Sequence, residues 1–210
     1  LLRRLKTDPD VAPDLPDKLE SRELCALTRE QASLYERVVE EHMERISSSA
    51  DVERRGHVLA MLTALKQVCN HPAHYLGDGS PMEGRSGKLE RTAELLEAIL
   101  DADERVLVFT QYRAMGELLR SWISEVFDAD VPFLHGGVPP IRRDEMVKAF
   151  QDHTSAPVLL VSLRAGGTGL NLTAATHVIH YDRWWNPAVE DQATDRAYRI
   201  GQRRDVQVHK

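Results

Sequence analysis

The chain has 210 residues, of which 42% are hydrophobic and 29% charged, and its formal net charge is −6. This composition is typical of a globular protein with an ordinary core and excludes disordered or collagen-like classes. The apolar runs are short, such as VLLVSL at 158–163, and the first residues lack the features of a signal peptide, so we expect neither membrane insertion nor export. Cys25 and Cys69 are too few for a disulfide framework and favour a cytoplasmic location.

The charged residues are unevenly distributed along the chain. Residues 131–210 carry 10 Lys and Arg against 8 Asp and Glu, which gives +2, so residues 1–130 must carry −8. The negative total disfavours a broad, nonspecific attraction to nucleic acid. Any site for a polyanion is therefore expected in the C-terminal part.

The first part of the chain is predicted to be a linker followed by a helical hairpin. Three prolines spaced among charges prevent a continuous helix over residues 1–22, which indicates a linker. Thr28 and Gln31 have the spacing of a capping box, and an apolar stripe follows at helical spacing. A second helix is predicted from about 51 to 68, where an Asn-His-Pro sequence ends it. Residues 23–84 are therefore expected to form a helical insertion.

The main domain is predicted over residues 85–210, where helical segments alternate with short apolar runs such as RVLVFT, PVLLVSL and THVIHY. Continuous apolar strands between helices indicate an α/β fold with a parallel sheet covered by helices on both faces. Ligands of such sheets bind at the loops after the strands, here after Thr110, His135, Leu163 and Tyr181. The chain stops soon after the strand-like run VQVH, so we expect it to be part of a longer protein.

A glycine-rich loop, RAGGTGLN at 164–171, follows one of these strands. Three glycines within four residues let a backbone approach a phosphate closely. A tight turn that needs positive φ explains the glycines equally well. The loop is not a Walker A phosphate loop, because no Lys-Ser or Lys-Thr follows the glycines, and the Gly-Lys pair at 87–88 precedes Leu.

The second candidate site is the segment QATDRAYRIGQ at 192–202. If residues 187–200 are helical, Gln192, Arg196 and Arg199 project from one face. Two guanidiniums and an amide on one stripe would suit a phosphate tail. The alternative is a solvated face whose arginines pair with neighbouring aspartates.

Together the two segments carry a resemblance that neither carries alone. The run VLLVSLRAGGTGLNLTAATHVIHYDRWWNPAVEDQATDRAYRIGQ resembles helicase motifs V and VI as found in SWI/SNF-type chromatin remodellers and their bacterial relatives. Upstream, LLRRLKTD and LPDKLE resemble the stretch that joins the two lobes of this family, and LTREQASLYERVV through LKQVCNHP resembles its helical insertion. RVLVFTQYRAMGELL and FLHGGVPPIRRDEMVKAFQ resemble motif IV and the segment after it. The chain is thus identified as the second, C-terminal RecA-like lobe of a superfamily 2 ATPase.

The resemblance implies roles for the residues of both motifs. ATP and Mg²⁺ would bind between two RecA-like lobes, with the phosphate loop and the metal-binding carboxylates on the N-terminal lobe. Arg196 and Arg199 would act on the γ-phosphate as arginine fingers, and Gln192 would support the nucleotide. The link from the nucleotide to the DNA would be made by Gly167, Thr168, Gly169 and Asn171.

The resemblance also indicates residues that contact DNA. Arg164 and Trp185 are the expected contacts, because Trp185 follows a strand end and an aromatic side chain there can act as a wedge. We expect one member of the Trp184-Trp185 pair to belong to the core. Arg142 and Arg143 are either phosphate contacts or plain surface charges.

The function that follows is ATP-dependent translocation on double-stranded DNA by the complete protein, in the bacterial cytoplasm and on the nucleoid when bound to DNA. The lobe alone is expected to be inactive as an ATPase. One alternative is a strand-separating helicase, and another is a non-catalytic scaffold, which the presence of Gln192, Arg196 and Arg199 disfavours. A metal site around Cys69 and His71 is not expected, since structural zinc needs four ligands and no Cys-x-x-Cys pair exists.

Overall fold

A computed structural model describes residues 15–165 and 169–210, apart from the Arg164 side chain. Within these residues six strands form one sheet in the order β1-β6-β5-β2-β4-β3, and every neighbouring pair is parallel. The strands are β1 Lys18–Ser21, β2 Val106–Thr110, β3 Phe133–Leu134, β4 Val158–Ser162, β5 His177–His180 and β6 Val206–His209. The predicted α/β fold with a parallel sheet is confirmed.

The helices follow the predicted order along the chain. They are α1 Arg29–Ser47, α2 Asp51–Asn70, α3 Pro72–Leu76, α4 Gly87–Asp101, α5 Arg113–Val126, α6 Pro140–Gln151 and α7 Pro187–Thr194. In the described part of the chain, no helix is long and apolar enough to cross a membrane. The chain divides into two compact units, one formed by Leu24–Leu95 and the other by the residues up to Glu23 together with Leu96–Lys210.

The sheet is built on strands that are buried on both faces. Every residue of β2 and β4 is buried, as a parallel sheet between helices requires. Leu107, Phe109, Leu159 and Val161 are completely buried in its core. Burying one such side chain stabilises the fold by about 1.5–3 kcal/mol, so these two strands contribute much of the stability of the unit.

The end of the predicted linker belongs to the sheet. Within the range 1–22, residues 18–21 form β1, which pairs in parallel with β6. Side chains continue this connection, because the Nε2 atom of His177 lies 2.6 Å from a Glu104 carboxylate oxygen and His177 stacks on His209 with ring centroids 5.6 Å apart. His209 Nδ1 in turn lies 3.1 Å from Glu23. These contacts form a row from Glu104, just before β2, through His177 on β5 and His209 on β6 to Glu23, just after β1.

The predicted helical hairpin is confirmed in the unit Leu24–Leu95. The Thr28 hydroxyl accepts from the Gln31 N–H and the Gln31 side chain accepts from the Thr28 N–H, which completes the capping box at the start of α1. Gln31 is fully buried and its Nε2 also donates to the Val68 carbonyl of α2 at 2.9 Å. Leu34 and Val38 pack against α2, so local capping and hydrophobic burial specify the same hairpin.

The break between α2 and α3 is made by His71. Its Nδ1 accepts from the Ala73 N–H at 3.0 Å, which leaves Nε2 to donate to the Met82 carbonyl at 2.8 Å. Burial lowers the pKa of His71, so the ring is neutral at pH 7. Because both ring nitrogens are engaged within the chain, the histidine acts as a structural cap.

The Gly-Lys pair at the start of α4 also has a structural role. A Cβ atom on Gly87 would lie 2.1 Å from the Ala26 carbonyl oxygen, so the position accepts glycine alone without a backbone shift. The ammonium group of Lys88 donates to the Asn70 side chain at 2.8 Å. The pair is therefore used for packing within its unit.

Candidate functional site

The glycine-rich loop follows β4 through a short 3-10 turn at Leu163–Ala165. The predicted site residues Gly167 and Thr168, together with the Arg164 side chain, lie outside the described residues. Gly169 has φ +84°, a conformation that favours glycine, and both Gly169 and Asn171 are exposed. The described end of the loop is thus a surface turn with an accessible backbone.

The helix predicted over 187–200 is wrong in its second half. It ends at Thr194, and the Arg196 carbonyl, which a longer helix would pair with residue 200, accepts instead from the Leu172 N–H at 2.9 Å. The Arg196 and Ala197 N–H groups donate three residues back, as in tight turns. The hydroxyl group of Thr194 is 2.9 Å from Nε2 of His180 on β5, which fixes the helix end to the sheet. Tertiary contacts therefore override the helical periodicity.

The early end of α7 separates the three side chains expected on one face. Gln192 and Arg199 are exposed, whereas Arg196 is only 8% exposed. The Arg196 guanidinium lies over the Phe109 ring at 5.6 Å, and its Nη1 has no hydrogen-bond partner among the described residues. His180 stacks on the same ring, and burial lowers its pKa to about 4, so it is neutral at pH 7. The two arginines thus occupy different environments.

Arg199 connects the two sequence motifs. Its exposed side chain donates from Nη1 to the Gly169 carbonyl at 3.3 Å. The structure therefore brings the arginine segment into contact with the glycine-rich loop. A guanidinium presents five donors in a fixed fork, and the bond to Gly169 uses one of them. Such a group can bind an anionic ligand without losing its contact with the loop.

Gln202 holds these segments together, a role that the sequence analysis did not assign. Its side-chain amide is buried and donates to the Ala175 carbonyl at 2.9 Å and the Thr173 carbonyl at 3.1 Å. Its oxygen accepts from the N–H groups of Arg203 and Arg204. The sequence gives only a weak signal for this role, namely a glutamine directly after an Ile-Gly pair. The hydrogen-bond partners of Gln202 are backbone atoms, which no sequence pattern reveals.

A second cluster lies in the turn between β5 and α7. Trp185 is 62% exposed, whereas Trp184 is partly buried and packs against the core of the sheet, which confirms that one of the two belongs to the core. Asn186 caps α7 by accepting from the Ala188 N–H, and Pro187 occupies the first helical turn. The turn therefore presents an indole at the surface at the carboxyl end of a central strand.

The arginines of α6 have different surroundings. Arg142 is exposed and its guanidinium lies 3.2 Å from Glu145. Arg143 is half-buried, and its Nε has no hydrogen-bond partner among the described residues. An exposed ion pair of this kind contributes about 0–1 kcal/mol, so Arg142 can exchange Glu145 for a phosphate at little cost. Both alternatives from the sequence stay open for these residues.

Comparison with known proteins identifies the family. The model of the helicase conserved C-terminal domain matches residues 87–201, and that of the SNF2-related domain matches residues 1–74. The chain is 52% identical over its whole length to a putative ATP-dependent helicase/translocase, YwqA, of Bacillus subtilis, of which it covers 23%. It is 33% identical to the human DNA excision repair protein ERCC-6, of which it covers 15%. The chain thus spans less than a quarter of these two relatives.

Solved structures agree with the sequence matches. The core of a Sulfolobus solfataricus SWI2/SNF2 ATPase in complex with dsDNA superposes with a TM-score of 0.83 and 44% identity, over 100% of this chain and 44% of that one. The separate C-terminal domain of a Sulfolobus solfataricus SWI2/SNF2 ATPase gives a TM-score of 0.78 and 40% identity, over 92% of this chain and 78% of that one. The chain therefore belongs to the SWI/SNF family of superfamily 2 helicases, as its C-terminal RecA-like lobe.

Proposed function

We propose that the complete protein hydrolyses ATP to move along double-stranded DNA, and that this lobe supplies an arginine finger and DNA contacts. The observation that carries the proposal is the contact between Arg199 and Gly169, because it makes the arginine segment and the glycine-rich loop one surface element. The printed names of the relatives support the choice of activity and ligand, since they describe an ATP-dependent helicase/translocase and an ATPase core bound to dsDNA.

In this mechanism ATP lies between this lobe and an N-terminal lobe. When bound, Mg²⁺ would neutralise phosphate charge, and its carboxylate ligands are expected on the other lobe. The exposed fork of Arg199 would donate to the γ-phosphate and stabilise the charge that develops during its transfer. Gln192 would support the nucleotide. Arg196 would become a second finger only after its guanidinium leaves the Phe109 ring, so Arg199 is the primary candidate.

The DNA side of the mechanism begins at the same loop. Changes in the nucleotide site would be passed to the bound DNA by Gly167, Thr168, Gly169 and Asn171. The proposed DNA contacts are Arg164, Trp185, Arg142 and Arg143. The arginines would contact the phosphate backbone independently of sequence, since a chain with a net charge of −6 relies on local basic groups, and Trp185 would act as an aromatic wedge. Strand separation is the alternative outcome of the same cycle.

Replacing Trp185 by alanine in the complete protein should weaken the stimulation of ATP hydrolysis by duplex DNA. In single-strand binding proteins the loss of one aromatic contact costs about 1–3 kcal/mol of binding, and a loss of that size would raise the half-saturating DNA concentration by a factor of about 5 to 150. Turnover without DNA should change little, because the exposed indole lies outside the proposed nucleotide contacts. The measurement is ATPase activity against increasing duplex DNA, beside thermal melting.

Trp184→Ala is the matched control for this experiment. Trp184 packs against the core, so its truncation should lower the melting temperature and all activities together. A large drop in melting temperature for the Trp185 variant, or DNA stimulation equal to that of the parent, would exclude the proposed role of Trp185.

A further inference from the structure

The turn that carries Trp185 is held by a buried carboxylate. Glu190 is 1% exposed. One of its oxygens accepts from the Trp184 N–H at 2.8 Å and from the Nε–H of Arg183 at 2.9 Å, and the other oxygen lies 3.0 Å from the same Nε. Glu190 thus binds both the backbone and a side chain of the two residues that precede Trp185.

The strand side of the turn is held by a second carboxylate. Asp182 is 3% exposed and accepts from the Gln111 N–H at 2.8 Å and from the Thr110 hydroxyl at 2.5 Å. The Gln111 side chain also donates to the Arg183 carbonyl at 3.3 Å. The turn is thereby fixed to the end of β2 on one side and to α7 on the other, while Trp185 remains 62% exposed between them.

We infer that Glu190 is a positioning residue that holds the turn in the conformation in which Trp185 meets DNA, and this inference rests on the proposed role of Trp185. Trp184 packs against the core and its N–H is held by Glu190, so the direction of the next residue is determined before DNA arrives. A contact that is ordered in advance loses less conformational entropy on binding. A variant in which the turn is no longer held by Glu190 should therefore bind DNA more weakly, although it still carries the Trp185 indole.

The charge of Glu190 suits this role better than a role in stability. Burial alone would raise its pKa, but the hydrogen bonds from Arg183 and from the Trp184 N–H outweigh burial and hold the pKa below its ordinary value. The group is therefore a carboxylate at pH 7. The Arg183 side chain is 52% exposed, so water screens its charge and the ion pair adds little to stability. The pair is therefore better explained by the specific geometry it imposes on the turn.

The test uses the complete protein and measures ATP turnover against increasing duplex DNA. Glu190→Gln keeps the shape of the side chain but loses the charge and one acceptor. Its half-saturating DNA concentration should rise about 3- to 10-fold, the factor expected when one side chain must be ordered on binding. Asp191→Asn is the matched control, since it makes the same change one residue further on an exposed side chain and should behave as the parent.

Combining the variants shows whether Glu190 acts through Trp185. In the Trp185→Ala background, Glu190→Gln should raise the half-saturating DNA concentration by less than about 2-fold, because coupled residues do not give additive effects. An equal rise in both backgrounds, or a Glu190→Gln variant that matches Asp191→Asn, would overturn the inference. Lower turnover at every DNA concentration, with an unchanged half-saturating concentration, would indicate a loss of general stability and would also overturn the inference.

Two further comparisons keep the test decisive. If Glu190→Gln does not fold, Arg183→Lys replaces it, since this half-exposed side chain keeps its charge but loses the Nε–H that binds both oxygens. It should show a smaller rise with the same dependence on Trp185, and the absence of that rise would overturn the inference. If Trp185→Ala itself binds DNA as the parent does, the proposed function of Trp185 fails. If Trp185→Ala is impaired and Glu190→Gln is not, only the inference fails.

Discussion

Replacing Arg199 by alanine in the complete protein should lower ATP turnover by a factor of about 10³ or more, with a much smaller change in ATP affinity. An arginine finger stabilises charge that develops during phosphoryl transfer, and fingers in related NTPases contribute about 10³–10⁵ in rate. Arg199 is exposed, so its truncation should leave the melting temperature unchanged. Steady-state kinetics over a range of ATP concentrations, beside a melting curve, measure all three quantities.

A lysine substitution at Arg199 and an alanine substitution at the nearby Arg203 provide the controls for this prediction. Arg199→Lys should restore little activity, because an ammonium group lacks the planar fork. Arg203→Ala removes an exposed charge four residues away and should keep turnover near that of the parent. Arg196→Ala should also reduce turnover, but with a lower melting temperature, since Arg196 is buried against Phe109. Near-normal turnover in both Arg199→Ala and Arg196→Ala would show that the segment 192–202 has only a structural role and would contradict the proposed arginine finger.

The isolated chain should hydrolyse no ATP above background. The proposal places the phosphate loop and the metal-binding carboxylates on the other lobe, so the chain alone would lack the groups that hold the phosphates and Mg²⁺. An exposed arginine in half a cleft also faces water, which screens its charge. Steady-state hydrolysis by the purified chain measures this directly. Turnover that disappears with Arg199→Ala would contradict the two-lobe mechanism, whereas weak binding of nucleotide or DNA would not.

The local features of this fold could be predicted from the sequence. The buried strands are continuous apolar runs, and their alternation with helices leaves few arrangements besides a covered parallel sheet. The capping box at Thr28 was predictable because both of its hydrogen bonds lie within four residues of chain. The expectation that one member of the Trp184-Trp185 pair belongs to the core is also met, and the structure shows that this member is Trp184.

The features that the sequence did not reveal depend on contacts between distant residues. β1 is four residues long and pairs with a strand near residue 206, so no local pattern marks it. The periodicity of Gln192, Arg196 and Arg199 predicted one helical face. The helix ends earlier, however, and the Arg196 carbonyl accepts a hydrogen bond from the distant Leu172 N–H. Burial of Arg196 was equally hidden, because a cation at helical spacing normally indicates a solvated surface. The two differences that concern Arg196 lie at the proposed nucleotide site.

Displacement of a third strand from a DNA triplex by the complete protein tests the central claim most directly, because a translocase on double-stranded DNA removes the third strand without separating the duplex. We expect ATP-dependent displacement that Arg199→Ala abolishes and Trp185→Ala slows, and no separation of a plain duplex under the same conditions. Separation of the plain duplex would favour the strand-separating helicase. Intact ATP hydrolysis stimulated by DNA, without displacement of the third strand, would contradict translocation.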